Sequence, residues 1–226
     1  NEAAKPDQIK ILSLFSGCGG LDLGFVGGFK FRRKEYKKNN FKIEFSNDFD
    51  SAATLVYNEN KKYFKHKILE KDISLIKEKE IPDFDFLLGG FPCQAFSAAG
   101  NRHGFAETRG TLFFEIERIL RDKKPYGFIL ENVEGLVKHD LENKNDKIGR
   151  TLTTILYKLK DELGYNVSWK VLDSIDFGLP QSRKRIFIVG TKDETANLNV
   201  STKQFKSLKT ILENGLETIN SDFTQK

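Results

Sequence analysis

A chain of 226 residues with 38% hydrophobic and 31% charged side chains has the balance of an ordinary globular protein able to bury one sizeable core. Its apolar runs are strand-sized, which excludes a membrane-spanning helix, and no charged start with an apolar core and cleavage site marks it for export, so it is expected inside a cell. Two cysteines exclude a disulfide framework, three scattered histidines exclude zinc-ligand spacing, and 37 basic against 32 acidic residues permit a polyanionic partner without requiring one. There is no methionine, even at position 1, so the first residue is not expected to be the start of translation.

Residues 1 to 8 read as a polar, loose end. Ile9 to Phe15 then alternates into a strand that runs directly into Ser16-Gly17-Cys18-Gly19-Gly20-Leu21-Asp22. Strand, glycine turn and an apolar helical segment open a nucleotide-type βα unit: glycine lets backbone approach a ligand, and a helix start offers unpaired N–H groups. Asp22 stands where a dinucleotide fingerprint would place its third glycine, so a pyrophosphate is not expected. A glycine turn needed only for a tight connection is the alternative. Residues 30 to 40 carry a basic run that reads as an exposed connection.

A second strand, Phe41 to Ser46, ends in Asn47-Asp48-Phe49-Asp50, and a carboxylate at such a strand end can hold two ribose hydroxyls. Asp50 suits the cap of a helix from Ser51 to Asn58, leaving Asp48 for a ligand. After Asp72-Ile73 and Pro82, the apolar run Phe84 to Leu88 reads as a buried strand. It stops at Gly89-Gly90-Phe91-Pro92-Cys93-Gln94, which places a thiol at the carboxyl end of a strand. Cys93 is there either a nucleophile or a small residue packing at a loop corner.

Residues 97 to 110 form a glycine-punctuated loop, and a loop this long inside a compact domain is usually a lid or binding loop. Leu112, Phe113, Ile116, Ile119 and Leu120 predict an amphipathic helix over 111 to 122. Tyr126 to Leu130 is a further strand ending in Glu131-Asn132-Val133. Leu152, Ile155, Leu156, Leu159 and Leu163 predict a second helix closed by Gly164. Two last strands, Tyr165 to Leu172 and Arg185 to Gly190, flank a turn in which Arg183 and Arg185 would project to one side, towards a polyanion, a carbonyl oxygen or a surface ion pair. The alternation predicts an α/β domain of three layers around a mostly parallel sheet, with polar clusters sharing the rim at the strand ends.

Taken together, these segments resemble the DNA (cytosine-5) methyltransferases. Phe15-Ser16-Gly17-Cys18-Gly19-Gly20 is similar to that family's cofactor motif and Gly90-Phe91-Pro92-Cys93-Gln94-Ala95-Phe96-Ser97 to its nucleophile motif. Glu131-Asn132-Val133 matches its acid motif and Gln181-Ser182-Arg183-Lys184-Arg185 its Gln-x-Arg-x-Arg motif, all in family order across residues 9 to 191. The resemblance implies a Rossmann-like fold for S-adenosylmethionine-dependent methyl transfer, with an antiparallel final strand. It implies S-adenosylmethionine as donor, leaving S-adenosylhomocysteine, and a cytosine flipped out of duplex DNA as acceptor, with no metal.

Residue by residue, it implies that Cys93 attacks C6 with Gln94 beside it, that Glu131 holds N3 and the exocyclic amine, and that Arg185, accompanied by Arg183, holds O2. Phe15 to Leu21, with Gly90 and Pro92, would border the donor. Asp48 would take its ribose hydroxyls, Phe49 would stack on its adenine, Asp72 and Ile73 would contact the adenine, and Leu112 would line the same pocket. The loop from 94 to 110 would close over the base. A catalytic domain is thus expected over 1 to 191. Residues 192 to 226 would be a tail or the start of a connection to a target-recognition region, which would follow in a longer chain or come from a second polypeptide. A bacterial restriction–modification setting in the cytoplasm is implied, with methylation of transfer RNA, or cofactor binding without chemistry, as alternatives.

Overall fold

The computed structural model describes residues 8–31, 34–92 and 112–202. Strand β1 (Ile9–Leu14) pairs in parallel with β4 (Phe41–Asp48) on one side and β6 (Phe86–Gly89) on the other. Side chains alternate across a strand, and β1 is buried on both faces: Ile11 packs with Val26, Ile43, Tyr57 and Phe64, whereas Leu12 and Leu14 pack with Leu87, Phe113 and Ile116. A strand covered on both faces reads as a nearly continuous apolar run, which is why it was visible in the sequence.

The sheet has seven strands in the order β5-β4-β1-β6-β7-β9-β8, where β5 is Leu69–Glu70, β7 Gly127–Val133, β8 Asn166–Asp173 and β9 Lys184–Thr191. Strand β9 runs antiparallel to both neighbours, so β8 again points the same way as β7. Helices α1 (Gly20–Val26), α2 (Ser51–Glu59) and α3 (Lys61–Phe64) contribute to one hydrophobic cluster, and α4 (Leu112–Lys123) and α5 (Arg150–Tyr157) to the other. These are the expected three layers, with the antiparallel strand in place. Among the described residues no helix is long and apolar enough to cross a membrane.

Three local details differ from the sequence reading. The basic stretch after α1 is not a plain connection but a hairpin, β2 (Gly27–Phe31) with β3 (Lys34–Lys38). Phe29 stacks on Tyr36 at 4.6 Å, and Lys34 Nζ lies 4.4 Å over the Tyr36 ring. Gly27, at φ +62°, begins it where a Cβ would stand 2.1 Å from the Lys37 carbonyl oxygen, so only glycine fits. Second, α5 ends at Tyr157 and continues as a wide π turn, Lys158–Glu162, before Gly164 closes it at φ +73°. Third, β7 extends beyond Leu130 to Val133, because β9 continues to pair with it through Val133 and Arg185 after β6 has ended opposite Leu130.

Candidate functional site

That last detail positions an acid. Glu131 lies one residue past the last β6–β7 pair, so it clears the parallel neighbour, yet it is still zipped to Phe187 of β9. In the same register Arg185 opposes Val133, two residues along, which makes Glu131 and Arg185 diagonal neighbours on one face. Arg185 Nε lies 3.0 Å from Glu131 Oε1, an ion pair whose side chains are 22% and 26% exposed. Arg185 Nη1 also donates to the Lys184 carbonyl at 2.7 Å. The turn before β9 is held by Asp173, whose Oδ1 accepts from the Ile175 and Arg183 N–H groups and whose Oδ2 accepts from Ser182 Oγ. These bonds, that from Ser182 foremost, hold its carboxyl below the usual aspartate range.

The other half of the rim is the turn after β1. Phe15 has φ +55°, an uncommon conformation for a residue with a side chain, and Gly17 and Gly19 follow at +55° and +85°. At Gly19 a Cβ would come within 2.6 Å of the Phe64 ring and 2.9 Å of the Tyr57 ring, so glycine is required by space as well as by backbone. Gly17 N–H donates to Asp48 Oδ2 at 2.7 Å, and Asp50 N–H to Asp48 Oδ1 at 3.0 Å, tying the end of β4 to the turn. Asp50 caps α2 by accepting from Ala53 N–H at 3.0 Å, which separates the roles of the two aspartates.

A cavity of about 800 Å³ joins the halves. Of the residues singled out in the sequence, Phe15, Ser16, Gly20, Leu21, Gly90, Glu131, Arg183 and Arg185 line it. Gly90 marks the seam: a Cβ there would stand 3.6 Å from Glu131 Oε2 and 3.8 Å from the Phe15 carbonyl oxygen. Gly17, Gly19 and Asp48 reach the site through the turn rather than through the cavity wall, and Cys18 is exposed beside them. Phe49, 70% exposed, also lies off the wall. Asp72 Oδ1 caps a short 3₁₀ turn by accepting from Ser74 N–H and Oγ, and the Ile73 side chain is buried in the core. Leu112 packs half-buried at the start of α4. Pro92 is exposed, and Cys93, Gln94 and the loop from 94 to 110 lie outside the described residues. Among the described residues no group of three His, Cys, Asp or Glu could hold a metal ion.

Two residues support the site in roles that the sequence did not assign to them. Asn132 is buried, and its Nδ2 donates to the Phe91 carbonyl at 2.9 Å, fixing the backbone two residues before Cys93. Beneath the glycine turn, Asp22 is fully buried and accepts from Ser13 Oγ at 2.6 Å and Tyr57 Oη at 2.9 Å. Burial pushes its carboxyl up to about 6, against the opposing pull of those two bonds. The available signal was a lone charge inside the apolar helical run Leu21 to Val26.

Residues 9–225 match the model of the C-5 cytosine-specific DNA methylases. The chain is 49% identical over 221 residues to the type II methyltransferase M.NlaIV of Neisseria lactamica, covering 97% of this chain and 50% of that protein. It is 45% identical over 199 residues to the type II methyltransferase M.BanI of Aneurinibacillus aneurinilyticus, covering 86% of this chain and 41% of that protein. The chain therefore spans about half the length of these relatives. Among solved structures, the Entamoeba histolytica methyltransferase EhMeth superposes with a TM-score of 0.67 at 18% identity, over 94% of this chain and 62% of that one, a likeness of fold.

Proposed function

The chain belongs to the C-5 cytosine-specific DNA methylase family, and from that premise we propose that it carries the catalytic part of an enzyme that methylates C5 of a cytosine flipped out of duplex DNA. The observation that supports this most directly is the Glu131–Arg185 pair at 3.0 Å, set at one end of a cavity whose other end is the glycine turn. S-adenosylmethionine would supply the methyl group. The residues present fit such a donor: the cavity is large enough for it, Asp48 can accept from ribose hydroxyls beside the turn, and the exposed Phe49 ring offers a stacking face. With the Ile73 side chain buried, an adenine contact there would come from backbone.

In this reading the Cys93 thiolate adds to C6 of the ring. Glu131 delivers a proton to N3 and holds the exocyclic amine, while Arg185 holds O2, so that the negative charge from the added sulfur is neutralised at N3 and C5 becomes nucleophilic. A general acid placed there is worth ~10²–10⁴ in rate. After C5 gains its methyl group, loss of the C5 proton to a base and cleavage of the C6–S bond restore the aromatic ring and release Cys93. Asn132 contributes by holding the Phe91 carbonyl, which fixes the approach of the nucleophile's chain. Sequence recognition, which depends on contacts to base edges, is assigned to residues beyond the half of the relatives matched here. Those residues would continue this polypeptide or be supplied by a second one.

The test is covalent capture on duplex DNA carrying 5-fluorocytosine in the presence of S-adenosylmethionine, with and without the remaining half of a relative supplied as a separate chain. Fluorine blocks the final elimination, so a stable adduct mapping to Cys93 is expected, and Cys93→Ser should form none. An adduct on another residue, or methyl transfer by Cys93→Ser, would sink the assignment.

A further inference from the structure

Below the cavity, a chain of hydroxyls leads from its wall to a buried carboxylate. Ser16 and Ser13 both line the cavity. Ser13 Oγ lies 2.8 Å from Ser16 Oγ and 2.6 Å from Asp22 Oδ1, and Tyr57 donates to Asp22 Oδ2. Ser13 is 1% exposed and Asp22 and Tyr57 are fully buried.

Counting protons fixes the direction of this chain. An ionised carboxylate only accepts, and both contacts to Asp22 come from hydroxyl donors, Ser13 Oγ on Oδ1 and Tyr57 Oη on Oδ2. Asp22 therefore takes the single proton of Ser13, which leaves Ser13 Oγ as an acceptor. The Ser16 proton then has two partners within reach, Ser13 Oγ at 2.8 Å and the Ser13 carbonyl at 3.0 Å. What Ser16 has left for a ligand is its lone pairs.

We propose that Asp22 is a positioning residue which, acting through Ser13, holds the Ser16 hydroxyl as an acceptor in the cavity wall and so selects a ligand presenting an N–H donor there, the ammonium of the methyl donor's amino-acid end. This rests on the donor site proposed above and adds the identity of the group that recognises one end of it. It also explains a charge that the helix alone would not favour. An aspartate buried at position 22 has no surface ion pair to make, and its two neighbours are both hydroxyls whose protons it collects.

The test is calorimetric titration of the full chain with S-adenosylhomocysteine and with its analogue in which the α-amino group is replaced by hydrogen. The unaltered chain should prefer the amine-bearing ligand by at least tenfold. Asp22→Asn can donate to Ser13 Oγ and release the Ser13 proton towards Ser16, so it should lose most of that preference while its affinity for the deaminated ligand stays within twofold. Ser16→Ala, which leaves the buried carboxylate in place, should do the same. Equal losses for both ligands would mean that Asp22 only supports the fold, and an undiminished preference in both variants would mean that another group reads the amine; either overturns the proposal and leaves the donor site standing. If the unaltered chain binds neither ligand, the donor site is wrong and the proposal falls with it.

Discussion

The two halves of the rim are held in place by different means. Where β1 and β4 end, the shape is set from below: Gly19 under two aromatic rings, Asp22 sealed between Ser13 and Tyr57, and Asp48 on the Gly17 N–H. Where β7 and β9 end, strand register does the placing, and Glu131 and Arg185 remain about a quarter exposed, paired to each other across the two strands. The difference separates two requirements. A pocket for a ligand of fixed shape gains from buried, pre-paired groups, whereas groups that must exchange one partner for another gain from a pair that costs little to open.

The sharpest way to break this contrast is Glu131→Gln. In single-turnover methylation with the second half supplied, its rate should fall by ~10²–10⁴, while chemical denaturation should move by less than about 1 kcal/mol, as expected for a partly exposed ion pair. A large loss of stability would show that the pair is a structural element. Gly19→Ala should behave in the opposite way. A left-handed backbone costs about 1–2 kcal/mol outside glycine and overpacking against the rings about 1–3 kcal/mol, so unfolding at lower denaturant is expected.

The glycine-turn half should also report pH. The Asp22 carboxyl is raised from 3.8 to about 6 by burial, so the folded state binds its proton more tightly than the unfolded chain does. Its contribution to stability is therefore fully present below pH 3.8 and is lost as pH rises through 6, a change of about 3 kcal/mol for a shift of this size. Denaturation curves between pH 4 and 7 should carry that slope, and Asp22→Asn should flatten it. In the β7–β9 half Asn132→Ala strands the Phe91 carbonyl, at a cost of about 1–3 kcal/mol. It should slow adduct formation without changing the affinity for S-adenosylhomocysteine; an equal effect on both would merge the two halves into one. The smallest effect is expected far from either: Lys30→Ala removes an ion pair to Glu35 between side chains 72% and 70% exposed, and should leave the melting temperature unchanged.

How much of this was legible followed from which forces leave a trace in sequence. Buried parallel strands need unbroken apolar runs, and turns at their ends need glycine, so β1, β6 and the strand-end clusters could be read directly. The β2–β3 hairpin could not, because its lysines hide the alternation of Phe29 and Phe31 opposite Tyr36 and Lys34. Contacts between distant residues left less still. The tie from Asn132 to Phe91 spans 41 positions and that from Tyr57 to Asp22 spans 35, and nothing local marks either member as half of a pair. Glu131 was recognised as a rim residue, but its place within β7 depended on a strand that arrives more than 50 residues later in the chain.

That late-arriving strand fixes the spacing at the β7–β9 end of the rim. Because β9 lies between β7 and β8 and is laddered to both, the distance from Glu131 to Arg185 is set by backbone pairing and not by the length of the segment joining β8 to β9. Residues 174 to 183 therefore shape the cavity wall, through Ser174, Phe177, Leu179 and Arg183, without setting that distance, while a slip of one position in the ladder would turn Arg185 to the opposite face and uncouple the acid from its cation.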